Sequence, residues 1–291
     1  MATPGEVGER RRAYGRGMRT LTDEKAAARA MWARGDYHRF ATQLCWELGP
    51  VLVEAAGIGP GMRVLDLAAG TGTVAVPAAR GGAEVVASDL TPENLAAGRA
   101  AAEAAGVELA WVEADAEALP FADGEFDAVT SSLGAMFAPD HGAVARELLR
   151  VCRPGGTIAL ASFTPEGAGG DFFATVGRHA PPSPGEPPLL WGTEAHVGDL
   201  LDRGVASLRC ERRTYVERLP GGPGDYAAFF RETFGPLIVL REALAADPER
   251  LAALDRDLEA FAERSNAGPP GGPFACPYEY LLVLATKAGA T

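Results

Sequence analysis

Cysteine is scarce. Cys45, Cys152, Cys210 and Cys276 are the only four in 291 residues, and no two form a C-x-x-C pair. Such spacing suggests neither a zinc site nor a disulfide framework, and reduced, buried thiols in a cytoplasmic protein are the simplest expectation. Basic residues are outnumbered, 27 Lys and Arg against 39 Asp and Glu, for a net charge of −12. Phosphate neutralisation needs clustered cations, so nucleic acid is not expected as a partner. No apolar run approaches the length of a membrane span, so no membrane association is expected either. The early arginines have no apolar stretch behind them, unlike a secretory signal. What is plentiful is hydrophobic residue, 47% of the chain, enough for a sizeable core. These bounds suit an enzyme acting on a small-molecule substrate.

Residues 1–19 are rich in Gly and Arg and read as a flexible tail. Residues 20–57 read as an N-terminal helical lid. Thr22 or Asp23 caps a helix through Trp32, and Phe40, Leu44, Leu48 and Leu52 recur at i+4 steps in a second. From residue 58 to 291 strands and helices alternate. Val64–Leu67, Glu84–Asp89, Val107–Glu113, Phe126–Ser132 and Thr157–Ser162 read as strands, with helices between them. That rhythm means a doubly wound α/β fold, a parallel sheet with helices on both faces. It breaks twice, at about 164–192 and 222–277, where helical and Gly/Pro-rich segments read as cap insertions. Val205–Leu219 alternates like a long, charged strand, and Tyr280–Thr286 reads as the last one.

The centre of the chain is Val64 to Thr73, a strand that breaks into Gly70-Thr71-Gly72 before a helix. Glycines there let backbone turn sharply and approach a ligand. Counted from Gly70, Gly-Thr-Gly-Thr-Val-Ala fits the dinucleotide pattern G-x-G-x-x-A, with Asp89 placed 19 residues on as a ribose acid. An NAD(P)-dependent oxidoreductase is therefore one reading. Counted from Asp66, the stretch is Asp-Leu-Ala-Ala-Gly-Thr-Gly. This resembles the first motif of class I S-adenosylmethionine-dependent methyltransferases, with Ala68 where a further glycine is usual.

Further matches favour the second reading. Asp115-Ala116, then Glu117 to Phe121 and Gly124-Glu125-Phe126-Asp127, resemble the third and fourth motifs of that family. Arg153-Pro154-Gly155-Gly156 resembles its turn into the fifth strand. The whole is similar to the small-molecule, ubiquinone/menaquinone C-methyltransferase-like group. The resemblance implies a seven-stranded Rossmann-like sheet with an antiparallel last strand, and S-adenosylmethionine as cofactor. It implies that Asp89 binds the ribose, Asp115 the adenine amino group, and Asp66 the ligand's ammonium. Asp66 as a loop cap is the alternative. Ala68, Gly70, Thr71, Gly72, Leu90, Ala116 and Ser131, at strand carboxyl ends, complete the expected cofactor site. A protein of this fold that binds the cofactor without catalysis is a further alternative.

Methyl transfer is an in-line displacement, and some acceptors need a general base. Glu166 directly follows the fifth strand, where a cap would desolvate its carboxylate and strengthen it as a base. His141 opens the helix after the fourth strand, and His38 and His179 are further candidates. Trp32, Tyr37, Met136, Phe137, Phe172, Trp191 and Phe230 are the expected walls of an apolar or aromatic substrate pocket. No lysine-and-acid arrangement of the metal-dependent catechol type occurs, so no metal is expected.

Overall fold

The computed structural model describes residues 22–182 and 185–289. The expected tail at 1–19 lies outside them. Thr22 caps helix α1 (Asp23–Trp32), its hydroxyl accepting the Lys25 N–H at 3.3 Å. The second N-terminal helix comes in three pieces, α2 (Tyr37–Phe40), a π-turn (Ala41–Cys45) and α3 (Leu48–Ala55). Pro50 has no N–H to bond back to Trp46, so an unbroken i→i−4 ladder cannot pass this point. Gly49 donates to the Trp46 carbonyl instead, at 3.1 Å.

The sheet comprises β1 (Arg63–Leu67), β2 (Glu84–Asp89), β3 (Ala110–Glu113), β4 (Phe126–Ser132), β5 (Cys152–Phe163), β6 (Val205–Leu219) and β7 (Phe274–Lys287). Their order is β3-β2-β1-β4-β5-β7-β6. β1 to β5 pair in parallel, and β7 runs antiparallel between β5 and β6. The seven-stranded, mainly parallel fold read from the sequence is the fold observed. β3 starts later than expected because Val107 is used elsewhere. Its N–H closes the end of α5 (Pro92–Ala104) on the Ala102 carbonyl, past Gly106 in the left-handed region.

One face of the sheet packs on α4 (Ala75–Arg80) and α5 through small residues such as Ala75, Ala78, Ala87 and Ala102. The other packs on α6 (His141–Val151) and α8 (Glu194–Leu201), while α7 (Ala168–Gly177) joins the cap side through Phe172. The cap has its own core. Leu44, Leu48 and Leu52 meet residues of α9 (Pro223–Thr233), α10 (Gly235–Ala243) and α11 (Pro248–Ser265) there.

β6 and β7 run on beyond the sheet as a two-stranded ribbon into this cap core. β5 stops at Phe163 opposite Tyr280, whereas β6 follows β7 to the Leu219–Phe274 pair. Residues 274–277, expected as loop, are therefore strand, with Phe274, Cys276 and Tyr278 buried in alternation. The free side of β6 carries Arg209, Glu211, Arg212 and Arg213, charges that blunt an edge strand.

The ribbon also buries an acid. Glu217 is 1% exposed and has no cation beside it in its hydrogen bonds. The Tyr215 hydroxyl donates to it at 3.0 Å and the Tyr226 hydroxyl at 2.7 Å. Tyr278 joins through Tyr226, 2.8 Å away. Burial pushes the Glu217 carboxyl up to about 7, against the lowering effect of the two tyrosine hydroxyls.

Candidate active site

The site is built at the carboxyl ends of β1, β2 and β4. After Leu67 the chain must turn at once, and Ala68 does so at φ 51°, in the left-handed region. A Cβ is strained there by roughly 1 kcal/mol or more, which explains why glycine is usual at this point of the motif. Gly134 makes the room: a Cβ on it would lie 2.4 Å from the Ala68 carbonyl oxygen. Gly70 and Gly72 follow at φ 56° and 92°, and a Cβ on Gly72 would press on Trp111 and Val76 at 3.0 and 3.1 Å.

Three acids lie at this edge of the sheet, two of them bonded to the turn or the helix it opens. Asp66 is 1% exposed and accepts the Ala75 N–H at 3.0 Å and the Thr130 hydroxyl at 3.1 Å. It thus caps the helix after the turn. Burial pushes its carboxyl up to about 7, resisted by those two bonds, and no cation among the described residues bonds to it. Asp89, 8% exposed, accepts the Gly70 N–H at 2.8 Å and the Thr91 N–H at 2.9 Å. Burial raises its pKa as well. Asp115 accepts the Glu117 N–H at 3.0 Å, and its other oxygen is held by Lys25.

The remaining expected cofactor residues also lie around the turn. Thr71 is buried, and its hydroxyl has no partner among the described residues. Ser131 ties β4 to β1, donating to the Leu67 carbonyl at 2.7 Å and accepting the Ala135 N–H at 3.0 Å. Leu90 and Ala116, half-buried, follow Asp89 and Asp115 directly. An orphaned hydroxyl beside two buried carboxylates without cations fits a ligand carrying an ammonium and hydroxyl donors. S-adenosylmethionine is such a ligand.

Lys25 and Arg29 were not singled out in the sequence. Lys25 bonds to both Asp115 and Glu117, and Arg29 pairs with Glu113 at 2.7 Å. The signal was there in their i, i+4 spacing on one face of α1. α1 therefore lies across the end of β3. Tyr37 ties α2 to α10, its hydroxyl accepting the Gly235 N–H at 3.1 Å.

The expected pocket residues divide. Trp32, Tyr37, Phe137, Phe172 and Phe230 belong to one aromatic cluster. Trp32 meets Phe137 at 4.8 Å and Tyr37 at 5.7 Å, and Phe172 meets Phe230 at 4.9 Å between ring centroids. Phe40, Phe173 and Phe234 extend it. Met136 and Trp191, each 1% exposed, sit instead in the core between the sheet and α6 and α8. Met136 is packed among apolar side chains and Trp191 against the rings of His141 and His196, so neither joins the aromatic cluster.

The catalytic candidates divide too. Glu166 is not the desolvated base that was expected. Its side chain is 60% exposed and pairs with Arg212 at 3.2 Å, which also reaches Glu279 at 3.0 Å. The loop turns outward because Thr164 is fastened to Glu279, its hydroxyl donating at 2.8 Å. His141 is fully buried beside Trp191, with Nδ1 2.9 Å from His196 Nε2, outside the aromatic cluster. His38 is exposed, and His179 pairs with Asp257 at 2.8 Å.

Comparison with known proteins agrees with this geometry. Residues 65–160 match the family described as "Methyltransferase domain". The uncharacterized protein Rv1405c of Mycobacterium tuberculosis is 46% identical over 266 residues, 90% of this chain and 94% of that one. A demethylmenaquinone methyltransferase of Mycolicibacterium paratuberculosis is 47% identical over 123 residues, 42% of this chain and 50% of that one. Among solved structures, a phosphoethanolamine N-methyltransferase of Haemonchus contortus in complex with S-adenosylhomocysteine superposes with a TM-score of 0.52. It is 16% identical, with 84% of this chain and 53% of that one covered. The oxidoreductase reading gains no support from these relatives.

Proposed function

Since the chain belongs to the class I S-adenosylmethionine-dependent methyltransferases, we propose that it methylates a small, apolar or aromatic metabolite. The observation that carries the acceptor class is the aromatic cluster of Trp32, Tyr37, Phe137, Phe172 and Phe230, whose Tyr37 lies close enough to Asp89 to feel its charge. Aromatic walls with few polar groups favour a flat or hydrocarbon-rich acceptor.

When bound, S-adenosylmethionine supplies an electrophilic methyl group on a sulfonium. Asp89 accepts from the ribose, Asp66 faces the ammonium, and Asp115 accepts from the adenine in this reading. The backbone of Gly70 to Gly72 comes close to the ligand, and the Thr71 hydroxyl gains a partner. The lid and the aromatic cluster exclude water and hold the acceptor in line, so positioning supplies most of the rate. Neither Glu166, solvated and paired with Arg212, nor His141, buried against His196, is assigned as the base.

The test is transfer of labelled methyl from S-adenosylmethionine to a panel of quinones, phenols, polar amines and RNA. Label in the quinone or phenol extracts is expected. Transfer confined to polar amines or RNA would refute the acceptor class. Absence of transfer to any acceptor, with S-adenosylhomocysteine still bound, would refute catalysis.

A further inference from the structure

On the sheet face away from the cap core, two histidines point at each other. His141 opens α6 and His196 lies in the first turn of α8, with Nδ1 of the first 2.9 Å from Nε2 of the second. Glu186 reaches the same place from the segment before Trp191, its carboxylate accepting the backbone N–H of His141 at 2.9 Å. One ligand atom from each of the three side chains lies within 4.8 Å of the others. We propose that His141, His196 and Glu186 form a site for one divalent transition-metal ion of the zinc type.

The donor set fits that ion. Two imidazoles and a carboxylate suit zinc, cobalt or nickel better than magnesium or calcium, which take oxygen. Zinc–imidazole bonds of about 2.0–2.1 Å separate two ligating nitrogens by about 2.9 Å at a right angle and about 3.3 Å in a tetrahedron. The observed 2.9 Å therefore needs an opening of less than about half an ångström to reach the tetrahedral spacing. Glu186 and Asp140 supply negative charge close to His141, which favours a cation there. His196 is half-buried and Glu186 exposed, so an ion can enter and water can complete the coordination.

The buried Trp191 indole packs against both rings at 5.5 and 6.2 Å and holds the two imidazoles in place. A bound ion would fasten α6, the segment before Trp191 and α8 to one another, making it a structural clasp distinct from the methyl-transfer site.

The full chain, stripped with a chelator, is titrated with Zn²⁺ by calorimetry and with Co²⁺ by visible absorption. One ion per chain is expected, with cobalt d–d bands, no thiolate charge-transfer band, and a melting temperature raised by at least about 3 °C. His196→Ala and Glu186→Gln are the variants of choice because both side chains reach solvent and leave the core intact. The event should be lost in His196→Ala and clearly weakened in Glu186→Gln. No one-to-one binding to the stripped chain, binding unchanged in both variants, or a thiolate signature from the cysteines would each overturn the proposal.

Discussion

Replacing Glu217 with Gln should make the protein more stable above pH 7 and not below pH 5. Glu217 is buried among tyrosines, and its carboxyl is pushed from the usual 4.5 up to about 7. Below about pH 4.5 it is protonated in both the folded and the unfolded chain and contributes nothing to the pH dependence. Between those two values the unfolded chain ionises while the folded chain holds its proton. Unfolding then releases a proton, so stability falls as pH rises. Each pH unit in that window is worth about 1.4 kcal/mol, so the full loss is about 3 kcal/mol above pH 7. The Gln variant keeps the shape and does not titrate. Rearranged bonds to Tyr215 and Tyr226 should cost it about 1 kcal/mol at every pH. Urea unfolding of parent and variant from pH 5 to 8 isolates the effect, because all other groups cancel in the difference. The variant's relative stability should climb by about 2–3 kcal/mol across that range. A difference flat to within about 0.5 kcal/mol would mean that Glu217 folds as an anion held by the tyrosine hydroxyls, and the reasoning fails.

Three further outcomes are expected. Asp89→Ala should weaken S-adenosylhomocysteine binding at least about tenfold, or ~1.4 kcal/mol; calorimetry giving unchanged affinity in a folded variant would remove Asp89 from the site. Lys25→Ala frees the Asp115 carboxylate for a ligand, and affinity should rise by roughly fivefold, about 1 kcal/mol; equal or lower affinity in the same titration would show that Lys25 does not compete there. Glu166→Gln should leave turnover within a few-fold in a steady-state assay, whereas a loss of about 10²-fold or more would restore Glu166 as a base.

The site was legible where it is local. The turn from Asp66 to Thr73 and the acids ending β2 and β3 are set by neighbours in the chain, so pattern alone placed them around one sheet edge. What pattern could not supply is pairing across long separations. Glu166 follows β5 closely, but its environment is decided by Arg212 on β6. His141 meets His196 from another helix, and Lys25 meets Asp115 across 90 residues. Trp191 and Phe172 carry the same kind of signal in the sequence, yet one lies in the core under the sheet and the other in the cap. The ribbon was read in part, because the alternation of β6 was visible while Pro273 and Pro277 made the start of β7 look like loop.

The place of β7 also bears on how the chain reaches its fold. β7 comes after every other described strand, yet it lies between β5 and β6 and supplies half of the ribbon. Its partners in β5 precede it by more than a hundred residues, a separation that slows closure. Until β7 arrives, β5 is an unpaired edge bearing Ile158 and Leu160, and the cap lacks Phe274, Cys276 and Tyr278. During synthesis the cofactor half can therefore assemble early, while the cap half waits with a sticky strand exposed. A chain cut before Phe274 should thus aggregate rather than persist as a free methyltransferase core.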